Sequence, residues 1–388
     1  MRIWLTKGAI LTPSYYDFIS TYSESLTVKE LMKKRNIVPH CISLHRNAAY
    51  FVEFKDGDNP YNVRKYSLLQ VSQKDHSKYC YIVPLKDFIS YCDDLDVASR
   101  HIVWLSHSAR CGSTLWGQIF NALPGWNVVS ESLFFTHSLL YERPFGDVVT
   151  YSKTKQFAQL VVAGFKFHVS RFPDDHGVLF KMSTHDCHLL SPVHKYFKNM
   201  VVLHAYRNAL DSSKSWYNSV IGFDVILSIK YLFGRALDIR HRSEYIALDV
   251  FSLYTQSLFK SMENLDTFRP QGLFEWYLFL WCSFNDGIRD AERDGIVVKY
   301  LKYESLMEDK ETYIRKLFDY LGICQDQVSV ALEATEVDSQ AGTFLSHETR
   351  KNNKRWIRTD ENARRATSIL NTMGYPDLDT DLTFENTL

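Results

Sequence analysis

The sequence carries no surplus of charge: 45 Lys and Arg stand against 45 Asp and Glu, a formal net charge of zero at pH 7. General nucleic-acid binders and polybasic membrane-surface proteins displace counterions with an excess of cations. Neutrality argues against both, so any anion the chain binds must be held locally. Long apolar runs are also missing. A bilayer span takes about 20 predominantly apolar residues, whereas the best window, Leu273 to Phe284, is shorter and contains Glu275. Met1 to Thr12 includes Arg2 and Lys7 and has no continuous apolar stretch leading to a small-residue cleavage site, so it reads poorly as a signal peptide. Cysteine is sparse. The seven thiols, Cys41, Cys80, Cys92, Cys111, Cys187, Cys282 and Cys324, form no Cys-x-x-Cys pair and have no His at zinc-ligand spacing, which argues against a structural zinc site. Scattered thiols in a long chain suit a reducing compartment, with one or two disulfides in a secretory lumen as the open alternative. With 16 Gly and 10 Pro in 388 residues, no segment reads as a flexible or Pro-rich linker, and no internal repeat is visible.

What remains is a composition that folds: 45% hydrophobic and 14% aromatic, enough to bury a substantial core. The length allows two domains, or one large domain with an appendage. Residues 1–98 read as a small α+β unit of unknown role, with a helix at Thr27 to Arg35, strands at Ala49 to Phe54 and Tyr79 to Val83, and a turn at Asp56 to Pro60. From residue 99 to 388 the texture changes to short apolar strands, each followed by a helix. Ile102 to Leu105 precedes Thr114 to Asn121, Val201 to Ala205 precedes Ala209 to Asn218, and Ile296 to Leu301 leads through a loop to Lys310 to Leu321, closed by Gly322. That alternation predicts an α/β fold with a mainly parallel sheet. Tyr217 to Asp294 reads as mostly helical and aromatic-rich, covering the sheet or forming a pocket.

Two segments carry chemistry. After the first of these strands comes Ser106-His107-Ser108-Ala109-Arg110-Cys111-Gly112-Ser113-Thr114. A glycine turn opening a helix aims backbone N–H groups and the positive helix end at one point, a ready anion site; Ser113, Thr114 and Arg110 add donors and charge. The Lys of the Walker pattern is absent, which disfavours nucleoside triphosphate hydrolysis. An ordinary strand-to-helix turn is the bland alternative. The second segment, Val201 to Trp216, places Arg207 at the end of a strand, where α/β folds bind ligands, and Ser215 about two helical turns on. Here the competing reading is an i,i+4 ion pair of Arg207 with Asp211 and a surface serine.

Taken together and in this order, the segments resemble the sulfotransferase superfamily that uses 3′-phosphoadenosine 5′-phosphosulfate (PAPS). Ala109 to Thr114 is similar to that family's P-loop-like 5′-phosphosulfate loop, usually Arg/Lys-Ser-Gly-Thr-Thr, with Cys111 and Ser113 as departures. Arg207-Asn208-Ala209-Leu210-Asp211 with Ser215 is similar to the 3′-phosphate element. Tyr300 to Leu306, and the helix ending Phe318-Asp319-Tyr320-Leu321-Gly322, are similar to its late Tyr-Glu-x-Leu strand and Phe-Leu-Gly helix. The resemblance spans roughly residues 100 to 375. It implies an α/β three-layer sandwich, PAPS as co-substrate and no metal.

The resemblance also implies roles. Arg110, Cys111, Gly112, Ser113 and Thr114 would hold the phosphosulfate, and Arg207 and Ser215 the 3′-phosphate. Lys354 and Arg355, in the basic run Ser346 to Trp356, would close over the donor; a solvated charge run is their plainer meaning. Lys181, in Val178 to Met182, matches the family's catalytic Lys, which neutralises the leaving oxygen; its plainer meaning is a solvent-facing strand-end lysine. The family's base is a His just after that Lys or a Glu after the first helix. Ser183 stands where that His would be, whereas Val128-Val129-Ser130-Glu131 places a carboxylate 21 residues beyond Arg110, as in Golgi carbohydrate and protein-tyrosine members. Glu131 is therefore the candidate general base, against a surface-paired Glu; His168 and His185 are weaker choices. The acceptor would be a hydroxyl of a carbohydrate, a protein tyrosine or a small molecule. Location follows as cytoplasmic for the chain as written, or the Golgi lumen if an upstream anchor precedes it. A non-catalytic nucleotide-binding or scaffold protein of the same fold is the competing class, and a kinase-like phosphotransferase ranks below it.

Overall fold

The computed structural model describes residues 25–43, 46–55, 58–63, 69–132, 134–135, 155–220, 273–339 and 356–388. By its internal contacts the chain divides into two compact units, Met1–Trp104 with Phe120–Val201, and Leu105–Ile119 with Val202–Leu388. The dominant element is a parallel sheet of five short strands, β4 (Ile102–His107), β5 (Trp126–Ser130), β6 (Gly177–Lys181), β7 (Val201–Tyr206) and β8 (Val298–Lys302), in the order β5-β6-β4-β7-β8. Every residue of β4 and β6 is buried. Strands covered on both faces carry near-continuous apolar runs instead of alternation, and Ile-Val-Trp-Leu and Val-Leu-Phe are such runs. Helices follow the strands, as the α/β reading expects: α4 (Ser113–Ala122) after β4, α7 (Ala209–Val220) after β7, and α9 (Tyr303–Glu308) and α10 (Lys310–Leu321) after β8. The remaining helices of this part are α5 (Lys155–Val169), α6 (Leu190–Tyr196), α8 (Leu273–Arg293), α11 (Val328–Thr335) and α12 (Asp360–Thr372). Among the described residues no helix is long and apolar enough to cross a membrane.

Local chemistry sets the ends of these elements. Asp309 caps α10 by accepting the Thr312 N–H at 3.0 Å, and Gly322 ends it in the left-handed conformation (φ 68°). Tyr313, Ile314, Leu317, Phe318 and Leu321 form its buried stripe. The expected loop between β8 and α10 contains the short α9. Residues 384–388 lie alongside β8: the Leu388 N–H donates to the Tyr300 carbonyl at 3.1 Å, the Tyr300 N–H to that of Asn386 at 3.2 Å, and the Phe384 ring stacks on Tyr300 at 4.8 Å.

In the first unit, β1 (Ile37–Ser43), β2 (Ala48–Phe54) and β3 (Ser77–Pro84) form an antiparallel sheet with β2 central. With α1 (Val28–Lys33), α2 (Leu69–His76) and α3 (Leu85–Asp93) it gives the first hundred residues an α+β texture. Thr27 caps α1 in a capping box with Glu30 and Lys34, in extended backbone, ends it, so the helix is shorter at both ends than the Thr27 to Arg35 read from the sequence. The sheet packs on α5. Phe51 of β2 meets Phe88 of α3 and Phe167 of α5 edge-on, at 5.3 and 5.4 Å between ring centroids, and the Arg171 guanidinium donates to the Met32 carbonyl at 2.7 Å.

Candidate functional site

In the second unit the chain leaves β4 and enters α4 through a loop in which Ala109, Arg110 and Gly112 all take left-handed backbone (φ 64°, 52° and 80°). That conformation is costly for residues with a Cβ and persists only where the surroundings enforce it. Three bonds do so: the Ser108 N–H donates to the Ala205 carbonyl at 3.0 Å, the Cys111 thiol to the same carbonyl at 3.1 Å, and the Ser212 hydroxyl to the Ala109 carbonyl at 2.9 Å. At Gly112 a Cβ would lie 2.8 Å from Cδ2 of Tyr303, so any other residue would force that ring to shift. A left-handed run of this kind opening a helix makes a concave array of N–H groups suited to an anion. Ser113 and Thr114, the first residues of α4, are buried beside it.

The segment after β7 meets this loop. The Arg110 Nε–H donates to Oγ of Ser215 on α7 at 3.1 Å, so two stretches about a hundred residues apart in the chain converge. Arg207 lies with its guanidinium 4.7 Å from the centre of the Tyr303 ring, its Nη2 3.6 Å from Asp211 and its Nε 3.9 Å from Glu304. The i,i+4 pair with Asp211 is thus present, alongside a second carboxylate. Glu304 also accepts the Asn208 N–H at 3.0 Å, and the Trp281 indole donates to the Arg207 carbonyl at 2.9 Å. Among the described residues, the buried atoms Arg207 Nε, Ser108 Oγ and Ser213 Oγ have no hydrogen-bond partner. Arg207 lies over the same Tyr303 ring that flanks Gly112, and guanidiniums beside an N–H concavity suit a phosphate-bearing ligand.

Lys354 and Arg355 lie outside the described residues. Trp356 is an anchor: its N–H donates to Asn218 at 3.1 Å and its ring stacks on Phe274 at 4.1 Å. Sequence reasoning gave no role to Tyr303, Glu304, Ser212 or Trp281. The first two lie in the Tyr-Glu-x-Leu segment already singled out; nothing local marks the other two.

In the first unit, β5 and β6 pair in parallel with Ser130 opposite Lys181. Glu131, one residue past β5, takes a left-handed backbone (φ 50°), and its N–H donates to the Lys181 carbonyl at 2.8 Å. That turn brings its carboxylate back to the Lys181 ammonium, and the two form an ion pair through Oε1 and Nζ. The Lys181 side chain has no exposed surface and Glu131 retains 14%. Lys181 is therefore not a solvent-facing lysine, and Glu131 pairs inward, with the other candidate catalytic residue. His168 is packed and fully buried, and burial lowers it to about 3; the His185 side chain lies outside the described residues. Among the described residues, no group of three or more His, Cys, Asp or Glu is placed to hold a metal ion.

Neither a protein-family model nor a curated protein matches the chain. Among solved structures it is similar to a sulfotransferase from Alicyclobacillus acidocaldarius, at 15% identity over 59% of this chain and 83% of that one, with a TM-score of 0.32. It is also similar to the sulfotransferase domain of the Synechococcus PCC 7002 olefin synthase, at 15% identity over 73% and 97% with a TM-score of 0.35. A third is sulfotransferase STF1 from Mycobacterium tuberculosis H37Rv, at 10% identity over 81% and 96% with a TM-score of 0.36. Overlaps of this size are loose, and what the site can do is set by its own residues.

Proposed function

We propose that the chain is a sulfotransferase that moves the sulfuryl group of PAPS to an acceptor hydroxyl. The observation that carries this reading is the Arg110–Ser215 hydrogen bond at 3.1 Å. It joins the loop and the helix that resemble the family's 5′-phosphosulfate and 3′-phosphate elements. When bound, the donor supplies an activated sulfuryl group. Holding it falls to the N–H groups of the left-handed loop, the hydroxyls of Ser113 and Thr114, and the guanidiniums of Arg110 and Arg207 with Ser215. Positive charge and oriented N–H dipoles stabilise negative charge without reorganising at the moment of reaction. Arg207 stands between two carboxylates before any ligand arrives, which keeps its charge compensated and its head oriented.

Two jobs remain for side chains. The acceptor's O–H must lose its proton as its oxygen bonds to sulfur, and Glu131 is the proton's destination. The bridging oxygen that departs from sulfur gathers negative charge, and the Lys181 ammonium is its counterpart. The two side chains already meet through Oε1 and Nζ, so both jobs fall to one place in the fold. The acceptor is a carbohydrate, a protein tyrosine or a small alcohol.

Two measurements test the proposal. Adenosine 3′,5′-bisphosphate, the donor's desulfated product, raises the melting temperature at saturation, since a ligand bound only to the native state stabilises it by mass action. Transfer of labelled sulfate from PAPS to a panel of hydroxyl acceptors falls by about a hundredfold or more in Glu131→Gln and in Lys181→Ala, with product binding retained. Binding without turnover on any acceptor would instead identify a non-catalytic nucleotide-binding protein.

A further inference from the structure

The first unit contains a buried polar chain that the roles above do not use. Tyr61 Oη lies 3.0 Å from Nδ1 of His168, and Ser132 Oγ lies 3.2 Å from Nε2 of the same ring. Tyr61 follows β2, His168 is in the last turn of α5, and Ser132 is the residue after Glu131. None of the three is more than 6% exposed. The surroundings are aromatic: Phe135, Phe167 and Phe180 lie 5.6 to 6.2 Å from the imidazole, and Phe172 packs on Tyr61 at 4.8 Å. A neutral imidazole has one N–H and one acceptor nitrogen, so hydroxyls on both sides satisfy it in either tautomer. A core of this kind would be simpler with apolar side chains. A fully satisfied buried polar network fixes geometry in a way that apolar packing does not.

Its end point shows what is fixed. Glu131 is held in left-handed backbone from two directions: its own N–H is bonded to the Lys181 carbonyl, and the hydroxyl of the next residue is bonded to α5. We propose that Tyr61 and His168 are positioning residues for Glu131, the hydrogen-bonded chain Tyr61–His168–Ser132 holding the turn that presents its carboxylate. This rests on the sulfotransferase reading for what Glu131 does, and it gives the N-terminal hundred residues a part in the site.

The test pairs two readouts in the full-length protein. One is hydrogen–deuterium exchange at the Glu131 amide, resolved by electron-transfer fragmentation; the other is kcat and KM for PAPS with labelled sulfate. The variants are Tyr61→Phe, which keeps the ring and removes one hydroxyl, Ser132→Ala, His168→Phe and His168→Gln. In the first three, exchange at Glu131 rises and kcat falls, each about tenfold, while KM for PAPS stays within about twofold, because a misplaced base slows the chemical step without loosening the donor. His168→Gln, whose amide can still donate and accept, recovers part of both. A purely structural role would spare kcat in every variant that folds and would give no rescue by Gln. Unchanged exchange at Glu131, or raised exchange with kcat intact, overturns the proposal. Should His168→Phe fail to fold, Tyr61→Phe and Ser132→Ala decide the matter. Absence of turnover in the wild type sinks the sulfotransferase reading alone, since the exchange arm still reports whether the chain holds Glu131.

Discussion

An ammonium with no exposed surface is rare unless a carboxylate meets it, and Lys181 has Glu131. Removing one member leaves the other uncompensated, which typically costs about 3 kcal/mol or more in a buried pair. Glu131→Gln and Lys181→Ala should therefore lower stability as well as turnover. The double variant Glu131→Gln with Lys181→Met should recover much of the stability and none of the activity, which urea melts run beside the sulfate assay will show. Two histidines give a pH signature. Burial holds the imidazoles of His168 and His204 at about 3, and His204 is bonded to Asn285 at 2.9 Å and to Ser106 at 3.0 Å. Their folded values lie below the unfolded value of roughly 6.5, so the unfolded chain binds more protons in between. Stability is thus full above that value and falls on acidification through the window. The loss is up to about 1.4 kcal/mol per pH unit per histidine. The urea midpoint should be lower at pH 5.5 than at pH 7.5, and His168→Gln should shrink the difference.

At the scale of elements, the loop between β4 and α4 depends on one glycine. Gly112→Ala combines a left-handed Cβ, at about 1–2 kcal/mol, with a contact on the Tyr303 ring that the ring must yield to. The thermal shift with adenosine 3′,5′-bisphosphate should disappear in this variant. Gly322→Ala, at the end of α10, meets open space and so carries only the backbone cost. It should lower stability by about 1 kcal/mol and leave ligand binding alone. These caps explain why α10 was legible in the sequence to the residue: Asp309, the apolar stripe and Gly322 each say the same thing. β1 was not legible, because all seven of its residues are buried and Pro39 sits within it, so neither alternation nor propensity marks a strand. Nor was α9, a six-residue helix with no side-chain cap.

For the whole molecule, the strand–helix alternation gave away the parallel sheet, because each strand buries a short apolar run and each helix returns the chain. The candidate residues Arg110, Arg207, Glu131 and Lys181 each lie next to a strand end or just before a helix start, where a sequence pattern can mark them, whereas Ser215 lies mid-helix and was singled out by its spacing from Arg207 and by the resemblance. Tyr61 was not: it lies 107 positions from His168, and no local pattern encodes that meeting. The same distance argues that the first hundred residues are not dispensable. A chain starting at residue 99 uncovers Phe167, Phe172 and His168 on the side of α5 where Phe51 and Tyr61 pack. It is expected to aggregate or to lose its cooperative melt; a monodisperse, cooperatively melting product would show that the N-terminal sheet is separable.

The division of the chain also sets an order of events during synthesis. The first unit has all its residues once position 201 has left the ribosome, but the anion loop belongs to the second, whose other residues begin at 202. At translation rates of about 5–20 residues per second, the loop waits on the order of ten to forty seconds for the last of them. Ser212 and Ser215, which hold Ala109 and Arg110, follow within about the first three seconds of that interval. Donor-binding capacity should accordingly be absent from nascent chains stalled near residue 200, even where their first unit already resists protease.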